Sequence, residues 1–210
     1  FVVKAFCEDD IHKSIKYKLW CSSAANNCIF NDAYRQAKER GGGLPVYLLF
    51  SVNKSGRFVG LAEISGEYEP DHSFELFSQP HKWQGRLPVR WVLIRDLPFT
   101  SFRHIALPNN QGWSLVRSRD GQEVQKPQAA AVLSTIQREA EVVGPVYSII
   151  QDFPYYDRRQ QEMERKRTSK LRDGKQPKRL AYGNAHGPRH QHRQSQGSER
   201  RSCSSSSAKE

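Results

Sequence analysis

The sequence predicts a mixed-sheet α/β domain followed by a strongly basic segment. Apolar runs of strand length alternate with helical patterns, which is typical of an α/β domain. Two adjacent runs are joined by the turn signal Lys54-Ser55-Gly56, which predicts an antiparallel hairpin. Residues 158–210 hold 15 of the 33 basic and five of the 22 acidic side chains, so residues 1–157 are nearly neutral. We therefore predict a folded domain at 1–157 and a tail at 158–210 that is helical to about residue 170 and disordered beyond it.

The predicted elements of the first half alternate between strands and helices. The strands are apolar runs bounded by turn residues, three consecutive acids favour the start of one helix, and Asn31 is the predicted N-cap of another. In chain order, the predictions are a strand at 1–6, a helix at 8–17, a strand at 19–21, a polar loop at 22–30, a helix capped by residue 31 that ends at the glycines 41–43, a strand covered on both faces at 46–53, and its hairpin partner at 57–64.

The second half of the domain begins with 24 residues, 65–88, that show no periodicity. A loop of that length in a compact domain is typically functional or disordered. After it, the pattern predicts a strand at 89–96, an irregular stretch at 97–125, a helix at 128–141, and a helix from 155 into the charged residues 160–170.

Motifs of the common catalytic and metal-binding classes do not occur in the sequence. The glycines at 41–43 follow a predicted helix and lack the GK[ST] of a phosphate-binding loop, and there is no GxSxG, HExxH or CxxC. Asp9 and Asp10 lie at the start of a predicted helix, where adjacent acids more often complement the helix dipole than form a catalytic pair. We therefore predict no cofactor and no metal, while an enzymatic function stays open at this point without residues that would carry it.

The sequence also gives expectations about membrane spans, the cellular compartment and the extent of the chain. No run approaches about 18 apolar residues, so no membrane span is predicted. The cysteine pattern fits an intracellular, reducing compartment. The first residue is Phe1 rather than methionine, which indicates a piece cut from a longer protein.

Three large aromatic side chains lie on predicted connections or at the end of a short strand beside one. Trp20 precedes a polar loop, and Phe77 and Trp83 lie in the long loop. A loop backbone is hard to bury, so such rings are unusual core material. Two interpretations are open: each ring plugs the end of the sheet, or the three converge on a cage that grips a flat or methylated group.

Five long blocks carry a resemblance, and they are KAFCEDDIHKSIKYKLWCSS (4–23), PVYLLFSVNKSGRFVGLAEISG (45–66), HKWQGRLPVRWVLIRDLP (81–98), FRHIALPNNQ (102–111) and SRDGQEV (118–124). Together they resemble the YTH domain family, in family order and nearly without gaps. The resemblance implies the family's fold, a mixed β-sheet curled into an open barrel of about six strands flanked by helices. It also implies the family's function, which is recognition of N6-methyladenosine in single-stranded RNA, with mRNA as the partner.

The resemblance implies that three side chains form the cage for the methylated base. Trp20, Phe77 and Trp83 match its walls. The stretch FSQPHKW has one residue more than the family pattern, so Leu76 and Phe74 are alternates for the second wall.

The other matched positions concern the adenine edge and the RNA backbone. The resemblance implies that the Asp10 carboxyl and the Cys21 carbonyl read the edge of the base. It places the main chain of Phe6 and the side chain of Asn53 near the base and the ribose. The implied phosphate contacts are Lys4 and Arg119.

Two departures from the family bear on affinity. Cys28 and Ile29 stand where animal cytoplasmic members carry two basic residues, which predicts weaker RNA binding. Trp113 stands where many relatives have lysine, and it either stacks on a neighbouring base or covers a core edge.

Two basic clusters in the tail, Arg165-Lys166-Arg167 and Lys178-Arg179, are spaced like a bipartite nuclear import signal across residues 165–179. The same charges also predict nonspecific attraction to phosphates, and the two functions are compatible. Residence in the nucleus, the cytoplasm or both stays open.

The sequence thus predicts a reader of N6-methyladenosine in RNA that regulates the fate of methylated transcripts. The domain is expected to be monomeric, with no membrane partner and with effector proteins bound through regions outside this chain. Two alternatives are open: a binder of unmodified single-stranded RNA, and a reader of methylated lysine, which the acids before Phe77 would favour. Because Trp20 is expected to line an open site, Trp20→Ala is predicted to abolish methyl preference and leave the fold largely intact.

Overall fold

The computed structural model describes residues 1–41, 43–72, 77–79, 82–83, 85–141 and 147–172. Its contacts divide the chain into two compact units, Phe1–Arg159 and Gln160–Glu210. Among the helices in this part of the chain, none is both long enough and apolar enough to cross a bilayer. Several predictions fall outside the described residues: the alternates Phe74 and Leu76, the second basic cluster at 178–179, and the disordered tail.

The described chain contains seven strands and four α-helices, joined in part by short 3-10 turns. The strands are β1 Val2–Ala5, β2 Leu19–Trp20, β3 Tyr47–Val52, β4 Arg57–Ile64, β5 Leu87–Pro98, β6 Ala106–Leu107 and β7 Trp113–Ser114. The helices are α1 Glu8–Tyr17, α2 Ala24–Glu39, α3 Lys126–Glu141 and α4 Phe153–Arg172.

Five strands form one mixed sheet in the order β1-β3-β4-β5-β2. β1 pairs with β3 in parallel, and the other neighbours are antiparallel, including the predicted β3–β4 hairpin. The register shifts between Phe50 and Ser51 of β3 and at two places between β4 and β5. Such bulges bend and twist a sheet. The predicted curled mixed sheet flanked by helices is confirmed; its main sheet has five strands, and β6 and β7 form a separate ribbon.

Each face of this sheet carries its own apolar core. Leu48 and Phe50 belong to one core and Leu49 to the other, because successive side chains of a strand point to opposite faces. The first core includes Ile11 of α1 and Phe30 of α2, and the second includes side chains of α3. β3 is therefore covered on both faces, as its continuous apolar run predicts.

Helix α2 begins at Ala24, so the predicted loop at 22–30 and the predicted N-cap at Asn31 are wrong. Ser23 caps the helix, since its Oγ accepts a hydrogen bond from the Asn26 N–H at 3.3 Å. The small polar residues of the first turns have weak helix propensity, but the fully buried Phe30 fixes this turn in the core. Asn31 lies inside the helix and accepts a hydrogen bond from the Tyr68 N–H at 2.8 Å.

The second half is more regular than predicted. Strand β5 has 12 residues, and the stretch 97–125 contains the β6–β7 ribbon and three 3-10 turns. The prediction of a wholly irregular stretch was wrong because two-residue strands are too short to show a period in the sequence.

The start of α4 packs on α1 around the buried ring of His12. Its centroid lies 4.6 Å from that of Phe153 and 5.5 Å from that of Tyr156, and its Nε2 lies 3.1 Å from Asp157 Oδ1. Burial lowers the pKa of His12, and the carboxylate of Asp157 opposes that shift. Burial is the larger of the two effects and favours the neutral imidazole.

Candidate nucleic-acid interface

Three aromatic side chains from two separated segments meet in the folded chain. Trp20 ends β2, and Phe77 and Trp83 lie in the loop between β4 and β5. The ring centroids are 5.4 Å apart for Trp20 and Phe77, 5.9 Å for Phe77 and Trp83, and 6.4 Å for Trp20 and Trp83. The structure thus brings together the three side chains for which the sequence predicts a cage.

The loop that carries two of these rings is tied down at two points. Glu69 and Arg86 pair through both backbone hydrogen bonds, which closes the loop at its base. Farther along, the Asp10 carboxylate of α1 accepts hydrogen bonds from the Ser78 N–H at 2.8 Å and from the Ser78 Oγ at 2.7 Å. The second contact fixes the residue next to Phe77, so α1 positions this ring.

Asp10 therefore has a structural task that the sequence did not indicate. Its side chain is fully buried, and its two oxygens accept from Ser78, with Cys7 Sγ 3.4 Å from Oδ2. Burial raises the pKa of the Asp10 carboxyl, and the hydrogen bonds from Ser78 oppose that rise. Its predicted contact with the edge of a base stays a prediction.

The aromatic cluster is more buried than the sequence indicates. Trp20 and Phe77 are each 2% exposed, and Trp20 also packs on Phe50 with centroids 5.0 Å apart. The expectation that Trp20 lines an open site is therefore wrong. The loop folds over β2, so a ring on a connection becomes part of the core, and its removal would leave a large cavity.

The three rings are also in mutual contact. A methyl carbon between two ring faces needs about 7 to 8 Å from face to face, twice the optimal carbon–carbon contact. The ring centroids of Trp20 and Trp83 are 6.4 Å apart, and the two rings make an interplanar angle of 35°. The gap between the two faces is no larger than this centroid distance, so admission of a methyl group requires the walls to separate by about 1 Å or more. Trp83, which is half-buried, is less enclosed than Trp20.

A pocket of about 580 Å³ adjoins the aromatic cluster, and Trp83 is one of its walls. Four other predicted site residues line the same pocket: Lys4, Phe6, Asn53 and Arg119. Trp20, Phe77, Asp10 and Cys21 are buried and are not among its lining residues. The predicted residues thus divide into a buried set and a set that faces the pocket.

Phe6 and Cys21 illustrate the two sets. The Phe6 ring is 57% exposed at the pocket, so it offers an aromatic face in addition to the predicted main-chain contact. Cys21 is buried, and burial raises the pKa of its thiol to about 12. The thiol therefore stays protonated at neutral pH and does not act as a nucleophile.

The lining of the pocket is basic, although residues 1–157 are nearly neutral. Among the residues that the structure describes, Lys4, Lys54, Lys82 and Arg119 line it, against the single acid Asp120. Asp120 in turn accepts hydrogen bonds from the Lys4 backbone N–H at 2.9 Å and from a side-chain amide of α2 at 2.8 Å. The pocket therefore suits a ligand that carries negative charge.

Sequence reasoning missed Lys54 and Lys82 as part of this site. Adjacency in the sequence could have identified both, because Lys54 follows the predicted site residue Asn53 and Lys82 precedes the predicted site residue Trp83. Short-range neighbours of a predicted loop residue often share its surface.

An α/β domain with an aromatic cluster beside a basic pocket has the features that suit a charged ligand with a flat ring. The model of the YTH family, described as the YT521-B-like domain, matches residues 1–137. The chain belongs to the YTH family, whose members bind RNA.

Similar proteins agree with this assignment. The chain is 40% identical over 176 residues to YTH domain-containing protein ECT3 of Arabidopsis thaliana, a match that covers 84% of the chain and 34% of the relative. It is 43% identical over 164 residues to YTH domain-containing family protein 2 of Homo sapiens, with 78% and 27% covered. The chain therefore spans about a third or less of the length of these relatives.

Solved structures give the same fold. The Pho92 YTH domain in complex with m6A superposes with a TM-score of 0.63 at 27% identity, over 71% of this chain and 89% of that one. The YTH domain of the Zygosaccharomyces rouxii MRB1 protein in complex with N6-methyladenosine RNA gives 0.60 at 29% identity, over the same shares. The predicted family and fold are confirmed.

Proposed function

We propose that this domain reads N6-methyladenosine in single-stranded RNA, with the methyl group held among Trp20, Phe77 and Trp83. The observation that carries the proposal is the convergence of these rings from two separated segments beside a basic pocket. The similar Pho92 and MRB1 domains, which were solved with m6A and with N6-methyladenosine RNA, support it.

Selection of the methylated base follows from the aromatic surroundings. Burial of one methyl group contributes about 0.8 kcal/mol. An unmethylated adenine in addition points an N–H at a ring wall without an acceptor, which costs roughly 1 to 3 kcal/mol. The sum of about 2 to 4 kcal/mol corresponds to a preference of roughly 30-fold to several hundred-fold.

The pocket supplies the attraction for the rest of the nucleotide strand. Lys54, Lys82 and Arg119 are exposed at its lining and suit phosphate groups, while the Phe6 ring suits a base. A base reaches such a pocket only when it is unpaired and splayed out, as in single-stranded RNA.

This function needs no chemical step. Binding and release of a methylated base involve no bond formation, so the protein acts as a reader and not as an enzyme.

In the same proposal, the domain acts as a monomer, and effector proteins that determine the fate of the transcript bind to regions outside this chain. The clusters at 165–167, on α4, and 178–179 direct nuclear import.

The charge of the pocket disfavours the methyl-lysine alternative. A cationic side chain would face the four basic side chains of the lining. Two of the acids before Phe77 are engaged elsewhere: Glu67 pairs with Arg35 at 2.7 Å, and Glu69 pairs with Arg86 at 2.7 Å.

The test is a titration of the protein into one short RNA in two forms, with and without the methyl mark. Fluorescence anisotropy of the RNA measures binding. We expect the methylated form to bind roughly 30-fold to several hundred-fold more tightly. Equal affinities would overturn the reader function and leave a binder of unmodified RNA. A trimethyl-lysine peptide serves as the third ligand, and tight binding of this peptide would favour the other alternative.

A further inference from the structure

A tryptophan and an arginine stack on each other in the chain segment that leads into the pocket wall. Trp113 of β7 is 43% exposed, and the guanidinium carbon of Arg117 lies 4.1 Å from the centroid of its ring. Arg117 directly precedes Ser118 and Arg119, which line the pocket, as does Val116. The pair is therefore continuous in the chain with the pocket wall.

The chemistry of this pair matches a nucleobase. An indole face and a guanidinium plane are the two side-chain surfaces on which unpaired bases stack, and the positive charge of Arg117 attracts the adjoining phosphate. Val116, Ser118 and Arg119 of the same segment line the pocket, so a nucleotide next to one bound there would lie within a few residues of the pair along the chain.

We propose that Trp113 and Arg117 form a second base-binding subsite, which stacks the base of a nucleotide adjacent to the one in the pocket. The inference rests on the proposed function insofar as RNA is the ligand. It adds a contact that gives affinity without reading the methyl mark.

The test must separate stacking from packing, since Trp113 also lies across from the buried Leu107 in the β6–β7 ribbon. Trp113→Leu keeps an apolar side chain over the ribbon and removes the aromatic face. We expect it to weaken binding of a short methylated RNA by about 5- to 100-fold. Affinity for the free nucleoside N6-methyladenosine, which cannot reach the subsite, should stay unchanged, as should the ratio between methylated and plain RNA.

A scan with abasic nucleotides locates the contacted base. Wild type and Trp113→Leu should bind equally to the RNA that lacks this one base and differ on every other RNA of the scan. Trp113→Tyr, which retains an aromatic face, should recover most of the affinity. If Trp113→Leu fails to fold, Arg117→Gln, at an exposed side chain of the same pair, takes its place in the abasic scan: it should bind more weakly than wild type except on the RNA that lacks the contacted base, and wild-type affinity on every RNA would overturn the subsite.

The matched control is Tyr155→Leu, which removes another exposed ring that does not line the pocket. Its RNA affinity should equal that of the wild type. Wild-type affinity of Trp113→Leu, or an equal loss in Tyr155→Leu, would overturn the subsite even where the methyl preference is intact. Equal binding of methylated and plain RNA by the wild type would overturn the proposed function instead. The same variants would then test the subsite on plain RNA.

Discussion

The aromatic cluster and the basic lining of the pocket are neighbours, yet they differ in almost every physical respect. Trp20 and Phe77 are 2% exposed and belong to the core on one face of the sheet, whereas Lys54, Lys82 and Arg119 are exposed. Packing fixes the first region, and solvent and ions surround the second. If the rings hold the methyl group as proposed, selection of the ligand is coupled to the stability of the fold, while attraction of the ligand is not.

The largest expected effect is on stability. Trp20→Ala should lower the free energy of unfolding by about 3 to 5 kcal/mol, because it removes a buried ring that touches Phe50, Phe77 and Trp83. Chemical denaturation measures this directly. A variant with the wild-type midpoint would show that the two regions are equally independent of the fold, and the contrast between them would be lost.

Methyl preference should respond most cleanly to Trp83→Ala, since this wall is only half-buried. We expect the preference for methylated RNA to fall about tenfold or more, equivalent to at least about 1.4 kcal/mol, with a smaller loss of stability than in Trp20→Ala. The measurement is the ratio of Kd values for the two RNAs. Trp91→Ala, a matched tryptophan on the same core, should lose stability and keep the ratio; an equal fall in both variants would place selection in the whole core.

The basic lining should affect affinity and its salt dependence alone. In the double variant Lys54→Gln, Lys82→Gln, each lost phosphate contact should lower the slope of log Kd against log salt by about 0.7, with the methyl preference unchanged. Arg103→Gln, an exposed charge that does not line the pocket, is the control. A changed methyl preference in the double variant would mean that the lining also takes part in selection.

The smallest expected effect concerns pH and lies away from both regions, at His12. Because burial lowers its pKa below the usual 6.5, the unfolded chain takes up this proton first, and stability falls as the pH drops below about 6.5. His12→Gln should therefore show a smaller decrease in Tm than wild type between about pH 7.5 and about pH 5.5. Equal decreases in both proteins would assign the pH dependence to other groups.

The sequence predicted the backbone of the site better than its solvent exposure. The β3–β4 hairpin, α1 and the convergence of Trp20 with Phe77 and Trp83 follow from patterns that are local or shared by the family. The burial of the rings depends on how a long loop is tied back, and the contact between Asp10 and Ser78 that does so joins residues 68 positions apart. No local period encodes such a contact.

Charge shows the same limit. A net charge near zero over residues 1–157 describes the whole domain, but side chains of Lys4, Lys54, Lys82 and Arg119 meet only after β1, the hairpin, the loop before β5 and the segment after β7 are in place. The start of α2 was missed for a related reason, because the burial of Phe30 outweighs the weak propensity of the residues around it. In both cases the outcome depends on tertiary contacts, which neither composition nor local propensity contains.

The pairing of β2 with β5 has a consequence for the order of folding. Trp20 lies opposite Leu87 in this pair, whereas the β3–β4 hairpin closes over a short turn. Closure of the longer loop costs more entropy, so we expect the hairpin to form first and the cage last. Pulse-labelled hydrogen exchange should show protected hairpin amides before those of β2. On the ribosome, we therefore expect the three rings to come together only after β5 has emerged.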